Sequence, residues 1–224
     1  MFKNRELKVD IALISVINNE LAVLLLKRPY EPFKEHWALP GGFIPENMSA
    51  DEAAHFQLNK KTGLSNVFLE QLSLFSNPKR DPSGVIASMA YLSLVDSNKM
   101  KAIKTDDSLE VKWFKLSDIP KNIAFDHKDI IKKAQERIIN QMRYTKIGFE
   151  LAGKEFTIKQ LVNVFESVTS KKLDLSNVRK KMLKLDLLRP TDKVIIEGAG
   201  RPSPVFKLNM KTYNKLDKTE SFFN

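Results

Sequence analysis

The sequence predicts a two-domain α/β protein, with an N-terminal α/β/α sandwich built on a mixed sheet and a smaller C-terminal unit of helices and a hairpin. Apolar, β-branched runs alternate with helical patterns over residues 8–143, as expected for a sheet covered by helices. Residues 1–140 carry 20 Lys and Arg against 18 Asp and Glu, whereas residues 141–224 carry 17 against 9. A near-neutral part joined to a basic part predicts that the second part faces a polyanion.

The composition excludes several classes of protein. A chain of 224 residues with 42% hydrophobic residues can form one large packed domain or two ordinary ones. The absence of cysteine excludes disulfides and cysteine-based metal sites. No apolar run approaches the roughly 20 residues of a membrane helix, and the N-terminal segment lacks a secretory signal pattern. We therefore expect a cytoplasmic protein.

The first predicted elements are two strands, residues 8–16 and 21–26, joined by a turn at Asn18 and Asn19. Residues 37–64 then read as a strand, a glycine loop and a helix. Gly41 and Gly42 permit the close backbone approach of a tight loop. Residues 49–52 form a Ser-x-x-Glu capping box, which predicts the start of a helix, and Gly63 suits its C-terminal end.

This segment resembles the Nudix box, in which a glycine, five residues, a glutamate and seven residues precede the motif Arg-Glu-apolar-x-Glu-Glu-x-Gly-apolar. With the last pair placed on Gly63 and Leu64, the frame also matches at Gly42 and Leu58. The charged positions differ from the motif. Phe56 replaces the arginine, and the glutamate positions hold Met48, Gln57, Lys60 and Lys61.

The resemblance implies a Nudix-like α/β/α sandwich without Nudix catalysis. In Nudix hydrolases the glutamates hold Mg²⁺ against a pyrophosphate, and Mg²⁺ prefers carboxylate oxygens and water. A thioether, an amide and two ammonium groups cannot replace them, so we expect no metal, no cofactor and no hydrolase activity. Lys60 and Lys61 either form a solvated helix face or contact a ligand's phosphates. The family's first strands lead to its ligand pocket, which makes Arg28 a candidate phosphate or carboxylate contact, unless it is an ordinary exposed strand end.

Three further strands, residues 67–76, 85–94 and 110–116, complete the predicted sheet, with Trp113 in the core. The loop at 77–84 is rich in turn formers, and its Arg80 could bind an anionic ligand or belong to a structural turn. A helix follows over residues 128–143, with Asp126 as its N-cap. We expect His127 to be structural, since no second ligand stands at metal spacing. The candidate ligand-binding residues are Arg28, Gly41, Gly42, Lys60, Lys61 and Arg80.

The C-terminal part resembles a winged helix. Residues 157–160 form a second capping box before a helix whose apolar face includes Leu161, Val164, Phe165 and Val168. Asp174 caps a second helix, which is predicted to bury Leu175, Val178, Met182 and Leu185. Its opposite face either reads DNA or is a solvated basic face. Residues 194–196 and 205–208 form a hairpin whose connection carries Arg201, suited to a narrow minor groove. The candidate DNA-binding residues are Ser176, Asn177, Arg179, Lys180, Lys184, Arg201 and Pro202.

The pairing of a degenerate Nudix box with a winged helix resembles the Nudix-related transcriptional regulator (NrtR) family. The resemblance implies a bacterial homodimeric repressor of NAD metabolism that binds palindromic operator DNA and is released by ADP-ribose or a related nucleotide. It implies a Nudix-like domain over 1–143, a winged-helix domain over 144–213 and a polar tail over 214–224. Three alternatives remain: a regulator of sugar catabolism, a binding adaptor, and a divergent pyrophosphohydrolase using Glu46, Asp51 or Glu52 as metal ligands.

Overall fold

The computed structural model describes residues 6–17, 20–95, 102–169, 171–196 and 202–215, with the backbone alone at residues 143 and 144. Contacts divide the chain into two compact units, Met1–Gln135 and Glu136–Asn224. The helix predicted over residues 128–143 begins in unit 1 and ends in unit 2. No helix among the described residues is long and apolar enough to cross a membrane. The predicted turn at Asn18 and Asn19 lies outside the described residues.

Unit 1 forms the predicted mixed sheet, which has seven strands in the described part of the chain. One long helix lies between the fourth and fifth strands and another follows the seventh. The elements are β1 (Glu6–Ile17), β2 (Glu20–Lys27), β3 (Trp37–Ala38), β4 (Gly41–Phe43), α1 (Ala50–Thr62), β5 (Glu70–Phe75), β6 (Ile86–Leu94), β7 (Glu110–Lys115) and α2 (His127–Tyr144).

The sheet contains a fork that positions the functional groups. β1 pairs antiparallel with β2 only over residues 14–17, and β4 takes over the same edge of β1 at residues 8–10. The opposite edge of β1 pairs in parallel with β6. β2 pairs with β3 at residues 26 and 27 and with β7 along its other edge. The strands β1 and β2 therefore separate after four residue pairs, and the glycine loop enters the gap.

Helix α1 covers the fork, and both of its ends follow the sequence signals. Ser49 accepts a hydrogen bond from the Glu52 amide, and the Glu52 carboxylate accepts one from the Ser49 amide, which completes the capping box. Gly63 adopts φ = 70° at the C-terminal end, a left-handed conformation that favours glycine. The helix packs Ala53, Ala54 and Leu58 against β1, whose inward side chains at this face are Val9, Ile11 and Leu13. Trp113 packs at the edge of this core and is half-buried.

Unit 2 has the predicted order of two helices and a hairpin. Its elements are α3 (Ile147–Ala152), α4 (Ile158–Thr169), α5 (Leu175–Lys184), β8 (Leu188–Ile195), β9 (Ser203–Leu208) and α6 (Met210–Tyr213). The second capping box is present, because Thr157 and Gln160 exchange side-chain to backbone hydrogen bonds at 2.9 and 3.1 Å. The apolar face of α4 is buried as predicted.

Three details of the prediction are corrected. Leu175 is 41% exposed rather than buried, because it is the first residue of α5 and its side chain leans toward the helix N-terminus. The strand β8 begins at Leu188, ahead of the predicted residue 194. Pro190 is tolerated within β8 because each strand of a two-stranded sheet is an edge. The short helices α3 and α6 lacked a periodic pattern long enough to predict.

Candidate ligand cleft and nucleic-acid interface

Unit 1 contains a cleft of about 370 Å³ at the fork of the sheet. Six stretches of the chain line it: the start of β1, the segment after β2, the glycine loop, the end of α1, the loop before β6 and the loop before α2. Each brings at least one charged or aromatic side chain, or a bare backbone, to the surface. The lining residues include Lys8, Asp10, Arg28, Gly41, Gly42, Phe43, Lys61, Arg80, Asp81, Phe125 and His127.

The two glycines of the loop are required by close approach. A Cβ atom on Gly41 would lie 2.3 Å from the Val9 carbonyl oxygen, and one on Gly42 would lie 2.7 Å from the amide of Gln57. Gln57 stands at a glutamate position of the Nudix box, and its Nε2 donates a hydrogen bond to the Phe43 carbonyl oxygen at 2.8 Å. The Gln57 amide thus holds the loop by donating a hydrogen bond. A glutamate carboxylate at this position could only accept hydrogen bonds and could not make this contact.

A buried ionic network forms the floor of the cleft. Arg80 donates from Nη2 to Asp10 at 2.9 Å, and from Nη2 and Nε to Asp126 at 2.7 and 2.9 Å. The Nδ1 atom of His127 accepts a hydrogen bond from the Leu39 amide, so the proton of the neutral ring is on Nε2. The Nε2 atom lies 3.3 Å from Asp10 Oδ1. Burial alone would raise the pKa of the Asp10 carboxyl, but His127 and Arg80 together hold that pKa well below its usual range.

This network bears on the two predictions made for the start of α2, at Asp126 and His127. The helix α2 begins at His127, one residue before the predicted start, and the Asp126 carbonyl oxygen accepts a hydrogen bond from the Ile130 amide at 3.2 Å. The Asp126 carboxylate, however, binds Arg80. His127 is buried and hydrogen-bonded, as expected of a structural histidine. Arg80 reaches the cleft, but its guanidinium is engaged by two carboxylates and its side chain is 1% exposed.

Arg28 is in the opposite situation. Its Nε donates to the Pro32 carbonyl oxygen at 2.9 Å, and its guanidinium lies 4.8 Å from the centre of the Phe125 ring. Among the described residues no carboxylate lies within ion-pair distance of it. Burial lowers the pKa of the Arg28 guanidinium, against the more distant charges of Asp81, Asp10 and Glu31. The cleft therefore contains a half-buried cation held by neutral groups.

The two lysines at the end of α1 differ in position. Both pair with Asp107, Lys60 at 3.4 Å and Lys61 at 3.5 Å. The Lys61 side chain is 22% exposed and lines the cleft, whereas the Lys60 side chain is 53% exposed and lies outside its lining. Burial lowers the pKa of the Lys61 ammonium and Asp107 opposes that shift.

The residues at the box positions do not fit Mg²⁺. Met48 packs against the apolar core, and the Gln57 amide is bonded to Phe43. The alternative hydrolase would use Glu46, Asp51 or Glu52 as metal ligands. Glu52 belongs to the capping box, and Asp51 accepts hydrogen bonds from Tyr91 and Gln71. Neither these two nor Glu46 lines the cleft. The described residues contain no group of three His, Cys, Asp or Glu side chains placed to hold a metal ion.

The sequence missed two groups of the cleft. Lys8 pairs with Asp81 at 2.7 Å, and its ammonium lies 4.5 Å from the centre of the Phe43 ring. Phe125 lies under Arg28 with φ = 54°, unusual for a residue other than glycine. The pair Lys8 and Asp10 did leave a signal, since polar side chains two residues apart in an apolar strand share one face. Nothing in the sequence indicated that Phe125 would line the cleft.

The candidate nucleic-acid interface is the outer face of α5. Val178 and Met182 are buried, and the Asp174 carboxylate caps the helix by accepting from the Asn177 amide at 2.7 Å. The five predicted DNA-contacting side chains of this helix are all exposed: Ser176, Asn177, Arg179, Lys180 and Lys184. In the hairpin that follows, Pro202 is exposed, and Arg201 lies outside the described residues.

Comparison with known proteins matches both units. A family model described as NUDIX domain covers residues 6–134, and one described as NrtR DNA-binding winged helix domain covers residues 148–208. The chain is 32% identical over 209 residues to the "ADPR responsive transcriptional repressor NtrR" of Acinetobacter baylyi, covering 92% of this chain and 83% of that one. It is 37% identical over 122 residues to the "ADP-ribose pyrophosphatase" of Methanocaldococcus jannaschii, covering 54% and 70%.

Solved structures of Shewanella oneidensis NrtR are also similar. The protein complexed with a 27mer DNA is 30% identical, with a TM-score of 0.75, and the match covers 93% of this chain and 95% of that one. Its NUDIX domain complexed with ADP ribose is 35% identical, with a TM-score of 0.55, and the match covers 61% and 90%. The whole-chain match includes both units.

Proposed function

Because this chain belongs to the NrtR family of Nudix-related transcriptional regulators, we propose that it represses transcription by binding a palindromic DNA operator as a homodimer and is released by ADP-ribose. The observation that carries this proposal is the combination, in the same chain, of a cleft that presents Arg28 and Lys61 and an exposed basic helix face. The residues that the structure describes include no group of three His, Asp or Glu side chains placed to hold a metal ion. The cleft can bind a phosphate ester without cleaving it, and the helix face can bind duplex DNA. The protein acts in the cytoplasm, on genes of NAD metabolism.

The cleft of unit 1 is the effector site in this proposal. Arg28 and Lys61 contact the phosphates, while Gly41 and Gly42 allow the ligand to approach the backbone. Arg80 acts by holding Asp10 and Asp126 in place. These cations favour a phosphate-bearing effector over the alternative of an unphosphorylated sugar, and a thermal-shift comparison of ADP-ribose with free pentoses separates the two.

The DNA contacts lie on α5 and the hairpin. Ser176 and Asn177 stand in the first turn of α5, where a recognition helix meets base edges, and Arg179, Lys180 and Lys184 supply cations for phosphates. Arg201 and Pro202 complete the interface at the hairpin, with Arg201 in a minor groove. A dimer places two such helices in successive major grooves of a palindrome.

The direct test is a mobility-shift titration of the full chain on a palindrome from the region upstream of its own gene. We expect a specific complex that ADP-ribose dissociates and that weakens steeply as salt rises, because phosphate contacts release counterions. A scrambled duplex of equal length is the control. Equal binding to both duplexes, or a complex that ADP-ribose leaves intact, would contradict the proposal.

The rival function is pyrophosphate hydrolysis, which the similarity to an ADP-ribose pyrophosphatase keeps in view. We propose that this chain does not hydrolyse ADP-ribose, since its box positions bear Met48, Gln57, Lys60 and Lys61. Incubation of the purified protein with ADP-ribose and Mg²⁺ or Mn²⁺ should release no AMP above the buffer background. An active ADP-ribose pyrophosphatase under the same conditions is the positive control.

A further inference from the structure

The Nudix fold implies a divalent cation at the end of α1, yet the residues there are cations themselves. The paired glutamate positions of the box hold Lys60 and Lys61, and the structure separates their roles. Only Lys61 lines the cleft, and its side chain is less than half as exposed as that of Lys60. One ammonium group therefore lies on the side of the helix where the box would present a metal ligand.

The charge at this end of the cleft is unbalanced among the described residues. Asp107 is the carboxylate within ion-pair distance of both lysines, at 3.4 and 3.5 Å, longer than the roughly 2.7–2.9 Å of a close charge-assisted hydrogen bond. Arg28, which has no carboxylate partner within the described part of the chain, lines the same recess beside Lys61 and Asp107. Burial is the main cause that lowers the pKa of the Lys61 ammonium, and Asp107 opposes it. The positive charges of Lys60 and Arg28 act on this pKa in the same direction as burial. An anion placed between Lys61 and Arg28 would relieve the repulsion of the two cations.

We propose that Lys61 and Arg28 together replace the divalent cation of the Nudix fold, so that the effector's diphosphate is bound directly by these two side chains without Mg²⁺. Their combined charge of two equals that of the ion. The guanidinium can bind two phosphate oxygens at once, and the ammonium acts as a point charge. This inference rests on the proposed function, since it assumes that a diphosphate enters this cleft.

The arrangement also separates binding from hydrolysis. A divalent ion lowers the pKa of a bound water and can generate a nucleophile, whereas an ammonium group can do neither. Replacing the ion by fixed cations therefore keeps the attraction for the diphosphate and removes the means of attacking it. Binding becomes independent of the free Mg²⁺ concentration as well.

The test is calorimetric titration of the full chain with ADP-ribose, in buffer containing EDTA and in buffer containing millimolar Mg²⁺. We expect the two dissociation constants to agree within about twofold. Lys61→Met keeps the aliphatic length and removes the charge, and should weaken binding about 10- to 100-fold, the range expected on losing a charged hydrogen bond. Lys61→Arg should recover most of the affinity. Lys60→Met, the matched control on the same helix, should change it less than about threefold.

Three results would overturn the inference. Binding that requires Mg²⁺ would show that the ion, and not Lys61, neutralises the diphosphate, while leaving the effector assignment intact. Equal affinities of the Lys61→Met and wild-type chains, at matching thermal stability, would give the side chain a packing role only. Absence of ADP-ribose binding in both buffers, together with normal operator binding, would reject the proposed effector and the inference with it.

Discussion

The two arginines of the cleft show how one residue type can serve opposite purposes. Arg80 has a side chain that is 1% exposed and bonded to Asp10 and Asp126, so its charge is neutralised within the fold. Arg28 is half-buried and bonded to backbone carbonyls, so its charge remains available to a ligand. Their positions in the sequence, one in a turn and one at a strand end, did not show which of the two charges is available to a ligand. Their hydrogen-bond partners in the structure show this difference.

The first prediction compares these two side chains. Arg80→Met should lower the free energy of unfolding by about 3–5 kcal/mol, because it removes the guanidinium that pairs with the buried Asp10 and the half-buried Asp126. Arg28→Met should cost less than about 1.5 kcal/mol, since no buried charge is orphaned, but should weaken ADP-ribose binding about 10-fold or more. Urea unfolding and calorimetry measure the two effects. Equal destabilisation by both variants would contradict the assignment of Arg80 to the fold and of Arg28 to ligand binding.

The second prediction concerns the pH dependence of the Asp10 carboxylate. Its pKa in the folded chain lies below the ordinary value of 3.8, so its ionised form stabilises the fold above that pH, and this stability is lost as the pH falls through the folded pKa. The stability difference between the wild-type chain and Asp10→Asn should therefore be constant near neutrality and shrink below about pH 4. Asp118→Asn, at an exposed carboxylate, is the control. A difference that grows on acidification would refute the network.

At the scale of elements, the sequence predicted what local chemistry determines. The two capping boxes and Gly63 mark helix ends through contacts only a few residues apart, and the structure contains all three. The fork of the sheet and the Arg80 network could not be predicted, because both depend on the order of the strands in the sheet. The fork pairs β1 with β4, and Arg80 lies 46 positions from Asp126 and 70 from Asp10. Leu175 was misplaced for a related reason: a helical pattern gives a face but not how far along the helix packing extends.

The third prediction tests the exposed face of α5. Lys180→Ala should weaken operator binding about equally for all duplex sequences, and should reduce the slope of log affinity against log salt by about one per subunit, since a lysine–phosphate contact carries no base information. Asn177→Ala, by contrast, should relax discrimination at one base position by about 1–3 kcal/mol. Lys115→Ala removes the same charge from unit 1, where it pairs with Glu20, and serves as control. An equal loss of slope in this control would assign the effect to net charge.

At the scale of the whole molecule, the proposed function requires that ADP-ribose binding to unit 1 and operator binding to unit 2 be coupled through one conformational equilibrium. Helix α2 begins at the floor of the cleft, where Asp126 and His127 belong to the ionic network, and its last residues belong to unit 2. ADP-ribose can release DNA only by binding one arrangement of the molecule better than the other. The size of the release is then fixed by that difference in affinity, whatever the structural route.

The fourth prediction follows from this linkage. If ADP-ribose lowers operator affinity by a factor in the usual range of about 5 to 150, the operator must lower ADP-ribose affinity by the same factor at the same salt concentration. Calorimetry of ADP-ribose binding to the free protein and to the protein–operator complex measures the effect of the operator on ADP-ribose affinity. Mobility shift with and without ADP-ribose measures the effect of the nucleotide on operator affinity. Lys180→Ala should weaken operator binding but leave the factor unchanged, because it alters neither the cleft nor the equilibrium. A factor that keeps rising with ADP-ribose concentration, instead of reaching a plateau, would mean that the nucleotide competes for the DNA surface itself and that the cleft is not the regulatory site.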